Sequence, residues 1–324
     1  MAYSQLGLIE ASDYNNFLNG SNQLNTVWST GTGNAGYGQT ALSTVSQLGM
    51  VMATQWATLI NTLNSTLTHQ SASGSGISAT TAGNTIFYLS TLASSINTAY
   101  TNRNNFASQG TTTTGATFSP NYTSGTTQSA LTWTFTRTIT FASADQARYF
   151  FNCGGQLNLV TISVVNNDGT SRSGDWVTVI GTEFGGISAI RQGSNGGRSG
   201  TGGTVNTNNT ALGYYSLTTS AQTISQITST TSGYTGDYII CGIRSSGTSG
   251  ANGDKGNVVY LDFTVYSAAR AALPTPGGSA TNPSLTVTNT SVNDSINVTW
   301  NHRIDIVYPE TTNLTNTWGT VTIS

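Results

Sequence analysis

"LTWTFTRTITFASADQARYFFNCGGQLNL", residues 131–159, decides how this chain is read. Leu131, Trp133, Phe135, Ile139 and Phe141 alternate with threonines, and Arg137 is the one break. Period two with one apolar face predicts a β-strand. At Ser143 the pattern changes. Ser143 is a good N-cap for a short helix, "ADQARYFFN", whose Ala147, Phe150 and Phe151 would pack on the sheet. Asp145 and Arg148 stand three apart, a pairing worth only about 0.2–0.5 kcal/mol. Gly154 and Gly155 then let the chain leave the helix through positive φ and begin the next strand, "GQLNLVTISVV". Arg148, Tyr149, Phe150, Phe151, Gly154 and Gly155 therefore read as a helix-to-strand corner that holds a core, not as an active site.

Downstream, "GISAIRQG", "YYSLTT", "DYIICGIRSS" and "GNVVYLDFTVYSA" are further short strands with turn residues between them. That spacing predicts an antiparallel β-sandwich over residues 128–272. A second helical turn falls in "SGDWVTVIGTEFG", with Ser173 as cap and Trp176 and Ile180 turned inward. After "AALPTPGGSATNP" come three more strand-like pieces within residues 273–324. This C-terminal β extension is short for a core of its own. It is either a small β-unit or a source of strands for the sandwich or a neighbouring subunit.

Upstream, the period is helical. Ser12 is a candidate cap for a helix carrying Tyr14, Phe17, Leu18, Leu24 and Trp28, which Gly20 weakens or ends early. Thr54 opens a second helix with Trp56, Leu59, Ile60, Leu63 and Leu67 as one stripe, and Leu89, Leu92, Ile96, Ala99 and Tyr100 make a third. Residues 1–107 thus form a small helical domain. The Gly/Ser/Thr-rich stretch 108–127 lacks apolar periodicity and reads as a linker. The fold class is α+β: helical N-terminus, antiparallel sandwich with short helical insertions, and a β extension.

Only 7% of the 324 residues are charged and the net charge is −2, against about 25% charged residues in an ordinary soluble domain. With no Lys/Arg run, electrostatic binding to nucleic acid or an anionic membrane is not expected. Apolar residues at 36% still permit a core. The uncharged polar surface suits neutral hydrogen bonding and burial against partners. The N-terminus has no leader pattern, and no run reaches the ~18 apolar residues of a membrane span. Cys153 and Cys241 have no CxxC spacing; a disulfide between them stays open, and the simpler reading is two free, buried thiols.

The search for chemistry returns little. His69 and His302 stand far apart, outside any metal-ligand spacing, and read as surface or capping residues. Asp168 and Asp175 are close in sequence, but "NNDGTSRSGD" reads as a turn rather than a paired-acid site. "GTGNAGYG" lacks the Lys-Ser/Thr of a phosphate loop. No catalytic residue, metal ligand or cofactor site is expected. Trp300, Tyr308 and Trp318 are candidates for a glycan- or partner-stacking surface, against the simpler reading that they are core.

Several strings carry a resemblance. "IEASDYNNFLNG" (9–20), "GTGNAGYGQT" (31–40) and "MATQWATLINTLNSTLTHQ" (52–70) resemble the N-terminal module of virion structural proteins from tailed phages of marine bacteria and cyanobacteria. Residues 131–159, "GDYIICGIRSSG" and "GNVVYLDFTVYSA" are similar to a second module of those proteins. The resemblance implies a non-enzymatic particle component without cofactor. It would be a tail, neck or baseplate appendage, made in the host cytoplasm and carried in the virion. Its helical N-terminus would dock on other phage virion proteins, and it would be a homo-oligomer with a trimer favoured. A capsid decoration protein and a module binding host-surface glycan are the alternatives. Nucleic acid and membrane are not expected partners.

Overall fold

A computed structural model of the chain describes residues 10–83, 89–125, 129–270 and 295–324. Four helices come first: α1 (Ala11–Leu18), α2 (Leu24–Trp28), α3 (Ala53–Ser71) and α4 (Leu89–Thr101). Their apolar stripes close on one another. Tyr14 and Phe17 of α1, Trp56, Leu59 and Leu63 of α3, and Leu92 and Ile96 of α4 form one buried cluster. Tyr14 meets Trp56 edge-on at 5.7 Å.

The caps differ from expectation. The first helix starts at Glu10, whose N–H donates to Asp13 Oδ2, and not at Ser12. The third starts at Met52, where Gln55 Oε1 accepts the free N–H at 2.8 Å, and not at Thr54. A glutamine side chain reaching back can satisfy an orphan donor as well as a cap hydroxyl can. The helix from α1 does end early, before Gly20, at a φ of +147.

The stretch 108–127 was expected to be a linker; its described part, to residue 125, instead carries two sheet-edge strands. β1 (Gln109–Thr113) and β2 (Asn121–Ser124) both pair with a strand near the C-terminus, and Phe118 bridges to His302 between them. Threonine-rich sequence suits a pleated edge. Pro120, which cannot donate to a ladder, sits in the interruption between the two strands.

The remaining elements are β3 (Leu131–Thr140), α5 (Ala144–Asn152), β4 (Gln156–Asn166) and α6 (Ser171–Trp176). The last runs straight into a π-helical stretch, Val177–Phe184. Thr170 caps α6 by accepting the Ser173 N–H, so the cap is three residues earlier than expected, while Trp176 and Ile180 are buried as expected. Then follow β5 (Gly186–Ile190), β6 (Thr204–Asn208), β7 (Gln222–Thr228), β8 (Tyr238–Ser245), β9 (Val258–Ser267), β10 (Ile296–Pro309) and β11 (Thr322–Ile323).

Two antiparallel sheets pack together. One has the order β1-β10-β4-β5, with β2 also on β10; the other has the order β11-β3-β9-β8-β7-β6. Phe263 of β9 meets Trp300 of β10 edge-on at 5.3 Å, and Phe135 of β3 reaches the same indole at 5.6 Å. The polar break in β3 is explained here: Arg137 lies on the apolar side and its Nε donates to His302 Nε2 at 3.0 Å.

The C-terminal extension is not a separate unit. Of residues 273–324, those up to 294 lie outside the described residues. The rest supply β10, which is hydrogen-bonded along both edges, and β11, which closes an edge of the other sheet. The helical boundary at 107 is equally blurred, because Val27 and Tyr37 are buried in the core of the sandwich.

Candidate functional site

The corner at α5 is a two-sided clasp. Ser143 Oγ accepts the Gln146 N–H at 3.1 Å, as an N-cap does. One face of the helix is apolar: Phe150 lies 5.2 Å from Phe141, and Phe151 stacks on Tyr214 at 4.7 Å. The opposite face is polar and equally buried. Arg148 donates through Nη1 to the carbonyls of Gly33 (2.9 Å) and Ala35 (3.2 Å), through Nη2 to Thr30 (2.8 Å), and through Nε to Asp145 (3.0 Å). Asn152 Nδ2 donates to the carbonyls of Gly33, Ala35 and Gly36. Asn252 donates to Asp145 and its carbonyl accepts the Gly33 N–H. A buried guanidinium is tolerable only when its donors are satisfied. The glycine-rich loop 29–38 supplies those acceptors.

Glycine is needed where this loop approaches most closely. Gly36 has a φ of +96, and a Cβ there would lie 2.0 Å from the Thr30 oxygen. Tyr149 lies against Gly38, where a Cβ would stand 2.5 Å from the ring. Gly154 takes positive φ, +89, as expected. Gly155 does not; it is needed because a Cβ would press on the Phe150 ring at 2.7 Å. The Asp145–Arg148 pair exists, but most of the work of Arg148 is done on backbone carbonyls more than a hundred residues away. The clasp locks the loop 29–38 to the sandwich.

Trp300 and Trp318 are buried, so they form no stacking surface. Trp300 Nε1 donates to Thr161 Oγ1 at 3.1 Å. Tyr308 is partly buried against the same core, and its hydroxyl accepts the Val321 N–H. The alternation Ile296, Val298, Trp300 along β10 already carried that signal.

Both histidines are buried, contrary to expectation. His69 Nδ1 lies 2.8 Å from Glu310 Oε1. His302 accepts from Arg137; burial, with the Arg137 charge beside it, pushes its pKa down to about 4. Cys153 and Cys241 are free and buried, and burial pushes both thiols up, which makes them poor nucleophiles. Asp175, at the end of α6, is pushed up to about 6, by burial first. Thr231 and Ser229 hydrogen bonds oppose that shift, and the Asp237 and Glu183 charges add to it. Among the described residues no group of three or more His, Cys, Asp or Glu side chains is arranged to hold a metal ion. No helix among them is long and apolar enough to cross a membrane.

One surface feature was missed from sequence. Leu48 is 99% exposed, Met50 83% and Met52 60%, all on the loop entering α3. Leu48 also holds a left-handed φ of +64. The only signal was the apolar run "LGMVM", which fits neither helical nor strand period. A cleft of about 520 Å³ lies beside the tip, lined by Glu10, Asn15, Gln47 and Leu48 among others.

No protein-family model, curated protein or solved structure matches this chain.

Proposed function

We propose that this chain is a non-enzymatic structural protein of a phage particle, an oligomeric tail, neck or baseplate appendage whose helical N-terminal part docks on neighbouring virion proteins. The observation that favours it is the apolar tip Leu48, Met50 and Met52 on the helical part. Methionine and other apolar side chains held out in water suit burial against another protein. The Arg148 clasp supports the same reading, since a docked helical part fixed to the sandwich transmits position to it. The resemblance of residues 9–70 and 131–159 to phage virion modules supplies the particle.

The test is cryo-electron microscopy of purified particles carrying this chain, traced into density. Density on the tail, neck or baseplate with residues 48–52 at the contact is the expected result. Density on the capsid lattice would make it a decoration protein instead. Absence of the chain from the particle would sink the reading.

A further inference from the structure

We propose that the cleft at Arg191 is a binding site for a carboxylate-bearing sugar of the hexuronate class. The chain has nine arginines. Eight of them donate to an acceptor within the described residues. The guanidinium of Arg191 has no hydrogen-bond acceptor there, although its backbone is held tightly. Its N–H donates to the Ser194 carbonyl at 2.8 Å, and its own carbonyl accepts the Tyr214 N–H at 2.9 Å. A fixed backbone carrying an unpaired fork of donors is a poised anion contact.

The surroundings narrow the anion. The cleft has a volume of about 470 Å³, in the range of small-ligand sites. It is lined by Asn104, Asn105, Phe106, Gln192 and Ser194 besides Arg191. Phe106 lies on the backbone of Gly154, where a Cβ would stand 2.5 Å from the ring, and the Arg191 guanidinium carbon is 5.7 Å from its centroid. Gln192 is pinned, donating to Asn152 Oδ1 at 2.7 Å and Asn104 Oδ1 at 2.9 Å, which leaves its Oε1 as an acceptor. The cleft thus offers one planar guanidinium, neutral amides and a hydroxyl, and the aromatic rings of Phe106 and Phe151. That set matches a carboxylate, several hydroxyls and an apolar sugar face. A phosphate or nucleic-acid ligand would call for more than one cation, and a neutral sugar would leave the arginine unused. The inference does not depend on the particle reading.

The full chain is titrated with D-glucuronate, D-glucose and inorganic phosphate, and the arginine Nε–Hε and side-chain amide resonances are followed by NMR. Glucuronate is expected to shift the Arg191, Asn105 and Gln192 signals, with glucose and phosphate at least roughly tenfold weaker. Arg191→Gln should abolish the response with little change in melting temperature, since among the described residues the guanidinium donates no hydrogen bond and gives up only its place over the Phe106 ring. Asn105→Ala, at an exposed side chain, should weaken glucuronate binding likewise and serves if Arg191→Gln folds poorly. An equal response to phosphate would mean a bare charge and overturn the sugar assignment. No response to glucuronate in the millimolar range, or a response that both variants retain, would overturn the site.

Discussion

Glu310 Oε1 lies 2.8 Å from Nδ1 of His69, 241 residues away in the chain, and ties the strand end after β10 to helix α3. Burial holds the His69 pKa below its ordinary 6.5 although Glu310 pulls it up, so the imidazole is neutral and its Nδ1–H donates. Burial pushes Glu310 up, but hydrogen bonds from Asn313, His69 and Thr312 outweigh it and hold the carboxyl below its ordinary 4.5. Both depressed groups act in one direction. Their stabilisation is present above the unfolded values of 6.5 and 4.5 and is lost as pH falls below each. Glu310→Gln should cost about 1–3 kcal/mol near neutrality and flatten the melting-temperature curve below pH 4.5, where Glu310 itself titrates, while the fall that begins below 6.5 persists because His69 loses the group that raised its pKa. An unchanged acid limb would show that other groups set it.

Asp175 has the opposite sign. Its raised pKa of about 6 means that its stabilisation is complete below the ordinary 3.8 and is lost as pH rises through about 6. One carboxylate oxygen is buried without a partner. Asp175→Asn keeps an acceptor for Ser229 and removes the charge. The variant should melt higher than the parent above pH about 6, and the gain should vanish as pH falls toward 3.8. A variant that melts lower at every pH would contradict this.

Arg148→Met should be severe. The Thr30 carbonyl loses its side-chain donor, those of Gly33 and Ala35 are left to Asn152, and the half-exposed Asp145 loses its charge partner; leaving a buried acceptor unsatisfied costs about 1–3 kcal/mol. Limited proteolysis should then cut within 29–38, where the parent resists. Resistance equal to the parent would mean that Asn152 alone holds the loop.

Phe150→Ala empties a fully buried ring site between Phe141, Phe151 and Tyr308. The expected loss is about 3–5 kcal/mol, read from urea unfolding. A soluble variant with the parent's midpoint would refute the core role of the corner.

Apolar periodicity alone carried α3, α4, β3, β9 and the corner at 143–155, because each buries one face and the buried face writes its period into the sequence. Trp300 was legible as core on the same ground, whereas Trp318 is buried outside any helix or strand and has no period to show it. The clasp was not legible beyond its first turn. Arg148 was plain, but its acceptors are carbonyls of residues 30–35, and a carbonyl has no side-chain signature. The acceptors of Asn152 were hidden for the same reason.

The burial of His69 and His302 was invisible because the groups that receive them, Glu310 and Arg137, come from distant strands. The threonine-rich stretch at 109–124 looked like a linker because an edge strand against β10 needs only backbone pairing and no apolar face. Apolar periodicity was enough to sort the inward apolar faces of α3, α4, β3 and β9. That a strand from the last thirty residues sits inside the first sheet, between β1 and β4, came from long-range contacts alone. Alternation specifies a face, whereas the neighbour on each edge is chosen by long-range backbone hydrogen bonds that every strand can offer alike.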